Sequence, residues 1–320
     1  MGVEVRARCG ATAQPVVCAA IASVEEIAGW QNVTRAVHRE GGRIYLQLWH
    51  VGRVGHCSLR TDGSPPVGPS TVCLENDRVP ILTGSREPVL APCDPPRALT
   101  TGEVKAIVAD FARAADNAMA AGFDGVEIHA ANGYLFDQFR CLYLNGRRDE
   151  YGGATGGRWR FLIETVEAVT ATVGKERVGV RISPLGTAHE MQFDPAPLFT
   201  YGYLACQLDR LGIGYLHVYD QSGSWMHDPQ SDLLQHLRAC YSKTMILCGS
   251  FDRERAEAAL RADCGDLIAF GKHYIANPDL VERLRIGAPL APWNSATIYK
   301  GGAKGYIDYP TLEEEAVSVM

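Results

Sequence analysis

Apolar and polar positions divide the chain into helical and extended stretches that alternate. From Ser23 the string SVEEIAGWQNVTRAVHREGG spaces Ile27, Trp30, Val33, Ala36 and Val37 at helical intervals. Its Ser-x-x-Glu opening predicts a capping box, and Gly41-Gly42 predicts the stop. Arg43 to His50 reads as a strand, with Gln47 set among apolar neighbours. A second helix, capped by Thr100 or Thr101, is predicted to run to about Gly122 with Val104, Ile107, Val108, Phe111, Ala115 and Ala118 on one face. Val126-Glu127-Ile128 then form a strand ending in His129. A helix from about Arg158 to Val173 leads to the strand VGVRISP. Further strands are predicted over 215–220, 244–250 and 267–272, with a short helix from Asp252 to Leu260 between the last two. This alternation is the βα signature of a parallel sheet, and one α/β barrel is ordinary at this chain length. Residues 1–22 show no clear period, so six strands are legible and the α/β barrel domain is read as 23–320.

One interval breaks the alternation. Cys57 to Ala98 is rich in Pro and Gly and too long for a simple connector, which predicts a lid or hairpin over the catalytic mouth. At 320 residues and 46% hydrophobic the chain has material for one large core. A formal charge of −6 with pI near 5.9 gives no electrostatic footprint for nucleic acid or an anionic membrane. No apolar run reaches the length of a membrane helix. Ten cysteines stand at 9, 18, 57, 73, 93, 141, 206, 240, 248 and 264. None forms a C-x-x-C pair or a zinc spacing, so no metal is expected. With no secretory signal in view they read as free thiols of a cytoplasmic protein.

The candidate chemistry centres on GVEIHAANGYLFDQF. A His at a strand end with an amide at +3 can aim two neutral donors at one point, a site for a carbonyl oxygen or oxyanion. His129 and Asn132 fill those positions. Tyr134 lies to one side and carries a proton of reference pKa ~10, suited to a general acid. Taken singly, a strand-end His or a loop Tyr more often serves packing. Gln47 within its strand is either a core amide bonded to backbone or a ligand contact, since an unpaired buried amide is costly. Arg181 within VGVRISP is either an ion-pair partner or a site residue. Gly249-Ser250 and Gly271-Lys272 end the last two strands, where barrels build their phosphate cradles.

The strings QLWHVGRVGH, HAANGYLFDQF and NGRRDEYGG, in that order, resemble the Old Yellow Enzyme family of FMN-dependent reductases. The resemblance extends from about Ser23 to Leu312 and includes IANPDLVERLRIGAPL and the tail around YKGGAKGYIDYPTL. It implies that His129 and Asn132 bind the electron-withdrawing oxygen of the substrate and that Tyr134 donates the proton. It further implies that Gln47 and Arg181 hold the flavin pyrimidine end, that Gly249, Ser250, Gly271 and Lys272 serve its phosphate, and that Tyr299 contacts substrate. The implied reaction is NADH- or NADPH-dependent reduction of a C=C bond in an α,β-unsaturated carbonyl compound or related small activated alkene. The alternative is a non-catalytic barrel remnant with weak flavin binding.

Three departures from the family pattern stand out. The resemblance implies a TIM-type (β/α)8 barrel, but its first two βα units have no match in residues 1–22, so six of the eight strands are legible and the barrel is expected to be incomplete at the N-terminus. Lys272 replaces an Arg, and ATGGR at 154–158 places two glycines at a helix start, at ~1 kcal/mol each. Six strands alone would leave the strands at 43–50 and 267–272 as open edges, with unpaired backbone groups and apolar interior side chains. From that follows the expectation of an aggregation-prone or homo-oligomeric chain.

Overall fold

The computed structural model describes residues 2–8, 19–60, 62–82, 88–222, 231–298 and 302–318. The predicted capping boxes form. Ser23 Oγ accepts the Glu26 N–H at 3.2 Å while the Glu26 carboxylate accepts the Ser23 N–H at 2.9 Å, opening α1 (Val24–Arg39). Strands β1 (Gly2–Arg8) and β2 (Ala19–Ala20) precede it, and β3 (Arg43–Trp49) follows. Four short strands occupy the predicted lid: β4 (Val67–Gly68) pairs with β7 (Arg97–Ala98), and β5 (Arg78–Ile81) with β6 (Val89–Pro92). Thr100 and Glu103 form the second capping box and begin α2 (Thr101–Ala120).

Beyond it the βα alternation resumes: β8 (Gly125–Ala130), α3 (Leu135–Arg140), α4 (Thr155–Val173), β9 (Val178–Ile182), α5 (Pro197–Leu211), β10 (Tyr215–Tyr219), α6 (Asp232–Cys240), β11 (Thr244–Cys248), α7 (Arg253–Arg261) and β12 (Leu267–Ala269). The chain continues through α8 (Lys272–Ala276), α9 (Leu280–Ile286) and α10 (Leu312–Ser318). Helix α4 includes both glycines of ATGGR. A Cβ on Gly157 would stand 2.1 Å from the Gly152 carbonyl oxygen, so the close approach of the preceding turn requires glycine there. Among the described residues no helix is long and apolar enough to cross a membrane.

The main sheet is parallel, in the order β12, β11, β10, β9, β8, β3, β1, β2. All six strands read from the sequence are present, and β1 and the two-residue β2 bring the described sheet to eight. Strand β1 pairs with β3 along its whole length, from Gly2 opposite Arg43 to Arg8 opposite Trp49. The open edge expected on β3 is therefore covered. It is a strand of strict alternation, Val3, Val5 and Ala7 against Glu4, Arg6 and Arg8, a period of two carried by only seven residues. Among the described residues no strand joins β12 back to β2, and the fold is a TIM-type barrel left open at that point.

Alternation along the strands builds two different faces. Ile44, Leu46, Leu48, Val126, Ile128, Val178, Val180, Ile182, Leu216 and Val218 are fully buried in the apolar layer beneath the helices. The intervening residues, Tyr45, Gln47, Glu127, His129, Arg181, Tyr215 and His217, face the interior. The expected apolar interior is thus replaced by a polar and aromatic one. Tyr45 and Tyr215 lie on strands three apart, about 14 Å in a flat sheet. Their ring centroids are nevertheless 5.7 Å apart, because the sheet curls and the rings close its floor. Glycines make room for them, since a Cβ on Gly179 would stand 2.1 Å from Tyr215 Cζ.

Gly179→Ala is expected to destabilise the protein by about 1–3 kcal/mol through overpacking. Placing it in a Tyr215→Leu background should remove most of that cost. Urea denaturation of the four members of the cycle checks this, and equal costs in both backgrounds would show that the ring is not the obstacle.

Candidate active site

The loop after β8 is held from several sides. His129 is fully buried, and its Nδ1 accepts the Ala131 N–H at 3.3 Å. In the neutral ring that leaves the proton on Nε2, which becomes a donor directed away from the loop. Asn132 adopts φ 57°, an uncommon conformation for a non-glycine residue. Its backbone N–H donates to Ser183 Oγ at 2.7 Å. The buried Asn132 Oδ1 has no hydrogen-bond partner among the described residues. Gly133 has φ 74°, and a Cβ there would lie 2.5 Å from the Ala188 carbonyl oxygen.

Tyr134 occupies the N-cap position of α3, with its ring against three others. The centroid distances are 4.8 Å to Trp49, 5.2 Å to His129 and 5.0 Å to His189. The lid reaches it too, because its apolar cluster of Val54, Leu59, Leu74, Val79 and Ile81 packs against the same ring. The residues following Tyr134 explain the rigidity of the loop. Asp137 accepts the Gly133 N–H at 2.9 Å and takes both Nε and Nη2 of Arg140 on its other oxygen. Gln138 donates to the carbonyls of Gly133 and Val51, and its Oε1 accepts the Arg53 N–H at 3.0 Å. One side chain thus ties the β8 loop to the β3 loop.

Below this rim lies a second polar layer. Gln47 Nε2 donates to Glu127 Oε1 at 2.6 Å, and His217 Nδ1 donates to Glu127 Oε2 at 2.9 Å. All three are at least 98% buried. Burial opposes charge on Glu127, but the His217 cation beside it, with Arg181 and the Gln47 amide, outweighs burial and lowers the carboxyl from 4.5 to about 2. Burial likewise opposes charge on His217, and the Glu127 carboxylate overcomes it, raising the imidazole from 6.5 to about 9. Arg181 stands directly opposite His217 in the sheet register and lies over the Tyr219 ring at 4.8 Å. The buried Gln47 Oε1 has no hydrogen-bond partner among the described residues.

Of the residues read from the sequence, His129 and Tyr134 meet at the rim, with Asn132 between them in the chain. Gln47 and Arg181 lie in the layer beneath. Glu127 and His217 passed unremarked, although each carries the same signal as Gln47 and Arg181, a polar residue at an alternate position inside a strand. The cradle candidates follow β11 and β12, which are register neighbours through Cys248 and Ala269. Gly249 has φ 158°, where a Cβ would stand 2.8 Å from Asp220 Cβ, and Ser250 has φ 51°. Open space surrounds the Cβ position of Gly271. Lys272 Nζ rests 4.6 Å from the Trp293 ring centroid. Tyr299 lies outside the described residues.

A flavin mononucleotide fits these groups. The Gln47 acceptor and the Arg181 cation suit the pyrimidine edge, and glycine turns follow β11 and β12 at neighbouring strand ends, the place where parallel barrels bind a phosphate. A parallel barrel with this rim and this floor is the frame of a flavin-dependent oxidoreductase. The chain belongs to the NADH:flavin oxidoreductase / NADH oxidase family, the Old Yellow Enzyme family, whose sequence pattern matches residues 8–291. It is 40% identical to chanoclavine-I aldehyde reductase of Penicillium roqueforti over 292 residues, 89% of this chain and 75% of that protein. Identity to 12-oxophytodienoate reductase 2 of Arabidopsis thaliana is 38%, over 91% of this chain and 77% of that one. Among solved structures, morphinone reductase in complex with tetrahydroNAD superposes with a TM-score of 0.90 at 40% identity, covering 97% of this chain and 85% of that one.

The Glu127–His217 pair makes stability depend on pH in both directions. The raised His217 contributes stability that is complete below about pH 6.5 and lost as pH rises through about 9. The depressed Glu127 contributes stability present above about pH 4.5 and lost as pH falls through about 2. The pair therefore contributes fully between about pH 4.5 and 6.5. His217→Gln strands the carboxylate, so it should cost about 3–5 kcal/mol and flatten the decline of Tm between pH 7 and 9. Melting curves across that range check this. A variant with the wild-type slope would show that another group titrates.

Proposed function

We propose that this chain reduces the carbon–carbon double bond of an α,β-unsaturated carbonyl compound or a related activated alkene, with FMN as cofactor and NADH or NADPH as reductant. The observation that carries this reading is the rim itself. A buried His129 donor, the Asn132 amide and the Tyr134 phenol share one loop, above a buried layer that holds an open acceptor and a cation. The chemistry FMN supplies when bound is two-electron transfer, from the nicotinamide to the β-carbon of the alkene.

The side chains of the protein do the rest. His129 Nε2–H and the Asn132 amide hold the substrate oxygen and draw electron density from the alkene toward it. The Tyr134 phenol gives its proton to the α-carbon. Trp49, His129 and His189 cage its ring, and the lid cluster closes the apolar side against water. Gln47 and Arg181 take the pyrimidine end of FMN, and Gly249, Ser250, Gly271 and Lys272 its phosphate. Relatives named as reductases of small organic molecules support the substrate class.

The purified protein is expected to carry or take up a yellow flavin. A colourless protein that does not bind added FMN would overturn the reading. Tyr134→Phe should leave flavin reduction by NADPH near normal and slow alkene reduction about 10²-fold or more in stopped-flow measurements. Equal loss in both half-reactions would mean that Tyr134 only shapes the loop.

A further inference from the structure

Glu127 is a buried carboxylate that the reaction as described does not use. It stands on the strand that ends in His129, and its two oxygens have different duties: Oε1 receives Gln47 Nε2–H at 2.6 Å and Oε2 receives His217 Nδ1–H at 2.9 Å. An ionised carboxylate only accepts hydrogen bonds, whereas an amide has a donor end and an acceptor end. Gln47 can therefore meet Glu127 only through its NH2 group, and turning the amide over would set two oxygens against each other at bonding distance. The amide is locked with Oε1 on the far side. That oxygen is the atom with no hydrogen-bond partner among the described residues, in a side chain with no exposed surface. A buried acceptor left in this way calls for a donor from whatever occupies the barrel mouth.

We propose that Glu127 is a positioning residue for the cofactor: by taking Gln47 Nε2–H it fixes the amide so that Oε1 is offered to a ring N–H on the flavin pyrimidine. This rests on the FMN reading above and deepens it. The consequence is chemical selectivity for a ring that carries an N–H donor at that edge, with Glu127 acting through Gln47 and never touching the ligand. A carboxylate is needed because an amide at position 127 could accept or donate, leaving both orientations of Gln47 available.

The test compares two probes on the apoprotein, FMN and its N3-methyl derivative, by quenching of flavin fluorescence. The wild type should bind FMN at least about tenfold more tightly, since the methylated ring cannot meet the locked acceptor. In Glu127→Gln the ratio of the two affinities should collapse toward one, mainly through weaker FMN binding. Glu127→Asp keeps the charge and an accepting carboxylate set back by one methylene, so an intermediate ratio is expected. It covers the case in which Glu127→Gln does not fold, as judged by circular dichroism. Wild-type discrimination retained in Glu127→Asp and in any folded Glu127→Gln, or no discrimination in the wild type, would overturn the positioning role while leaving FMN binding intact. A wild-type apoprotein that binds neither probe would instead overturn the FMN reading, and this inference with it.

Discussion

A carboxylate sealed inside the barrel constrains everything around it. Charge buried away from water is tolerated only when paired and hydrogen-bonded on every side, and Glu127 meets that condition through residues on two other strands. The pairing needs Gln47, Glu127 and His217 all on the inward face, so it fixes the inward set of β3, β8 and β10 together. Slipping any of these strands by one residue would turn its polar residue into the apolar layer under the helices. The same register sets Tyr45 and Tyr215 as the floor and brings Trp49 and His129 to the rim. The open barrel is thus specified by its interior polarity as much as by its core.

Above that layer the site depends on side chains that never face the reactants. Asp137 and Gln138 belong to the short helix after Tyr134, and both reach back to Gly133. Gln138 continues to Val51 and Arg53, and this approach is close enough that a Cβ on Gly52 would overlap Gln138 Oε1 at 2.1 Å. Arg140 extends the network to Asp194, which also accepts from Thr200 in the first turn of α5. The loop bearing His129, Asn132 and Tyr134 is consequently anchored to the strand before it and to the helix after it.

Much of this was legible in the sequence, and the omissions have physical causes. The capping boxes at Ser23 and Thr100 are local, because donor and acceptor lie three residues apart, and both helices begin where the pattern puts them. The rim loop was legible because its residues are contiguous. The polar layer was only half legible. Gln47 and Arg181 stood out as polar residues in strands, but the partner of Gln47 is 80 residues away, and no local pattern shows that Glu127 and His217 complete the set. Strand β1 was missed because seven alternating residues next to a segment with no period give little signal, whereas its pairing with β3 is entirely non-local.

The segment after β9 shows how such non-local order is held. Ser183 accepts from Asn132, the Ala188 carbonyl lies over Gly133, and the His189 ring stands against Tyr134. The same few residues hold the lid. His189 Nδ1 meets Asp77 Oδ2 at 2.6 Å, the Glu190 carboxylate accepts the N–H groups of Glu75 and Asn76, and Arg53 bridges His189 O to the carbonyls of Val72 and Cys73. Leu185, His189 and Glu190 all adopt positive φ, a conformation that costs a non-glycine residue about 1–2 kcal/mol. Three such residues within six positions would not persist without compensation, and His189 and Glu190 gain it in hydrogen bonds to Asp77, Glu75 and Asn76. The 57–98 segment and the Tyr134 ring are therefore coupled through one strained turn, so a change that breaks the bonds of His189 to Asp77 or of Glu190 to Glu75 and Asn76 also removes what holds the His189 ring against Tyr134.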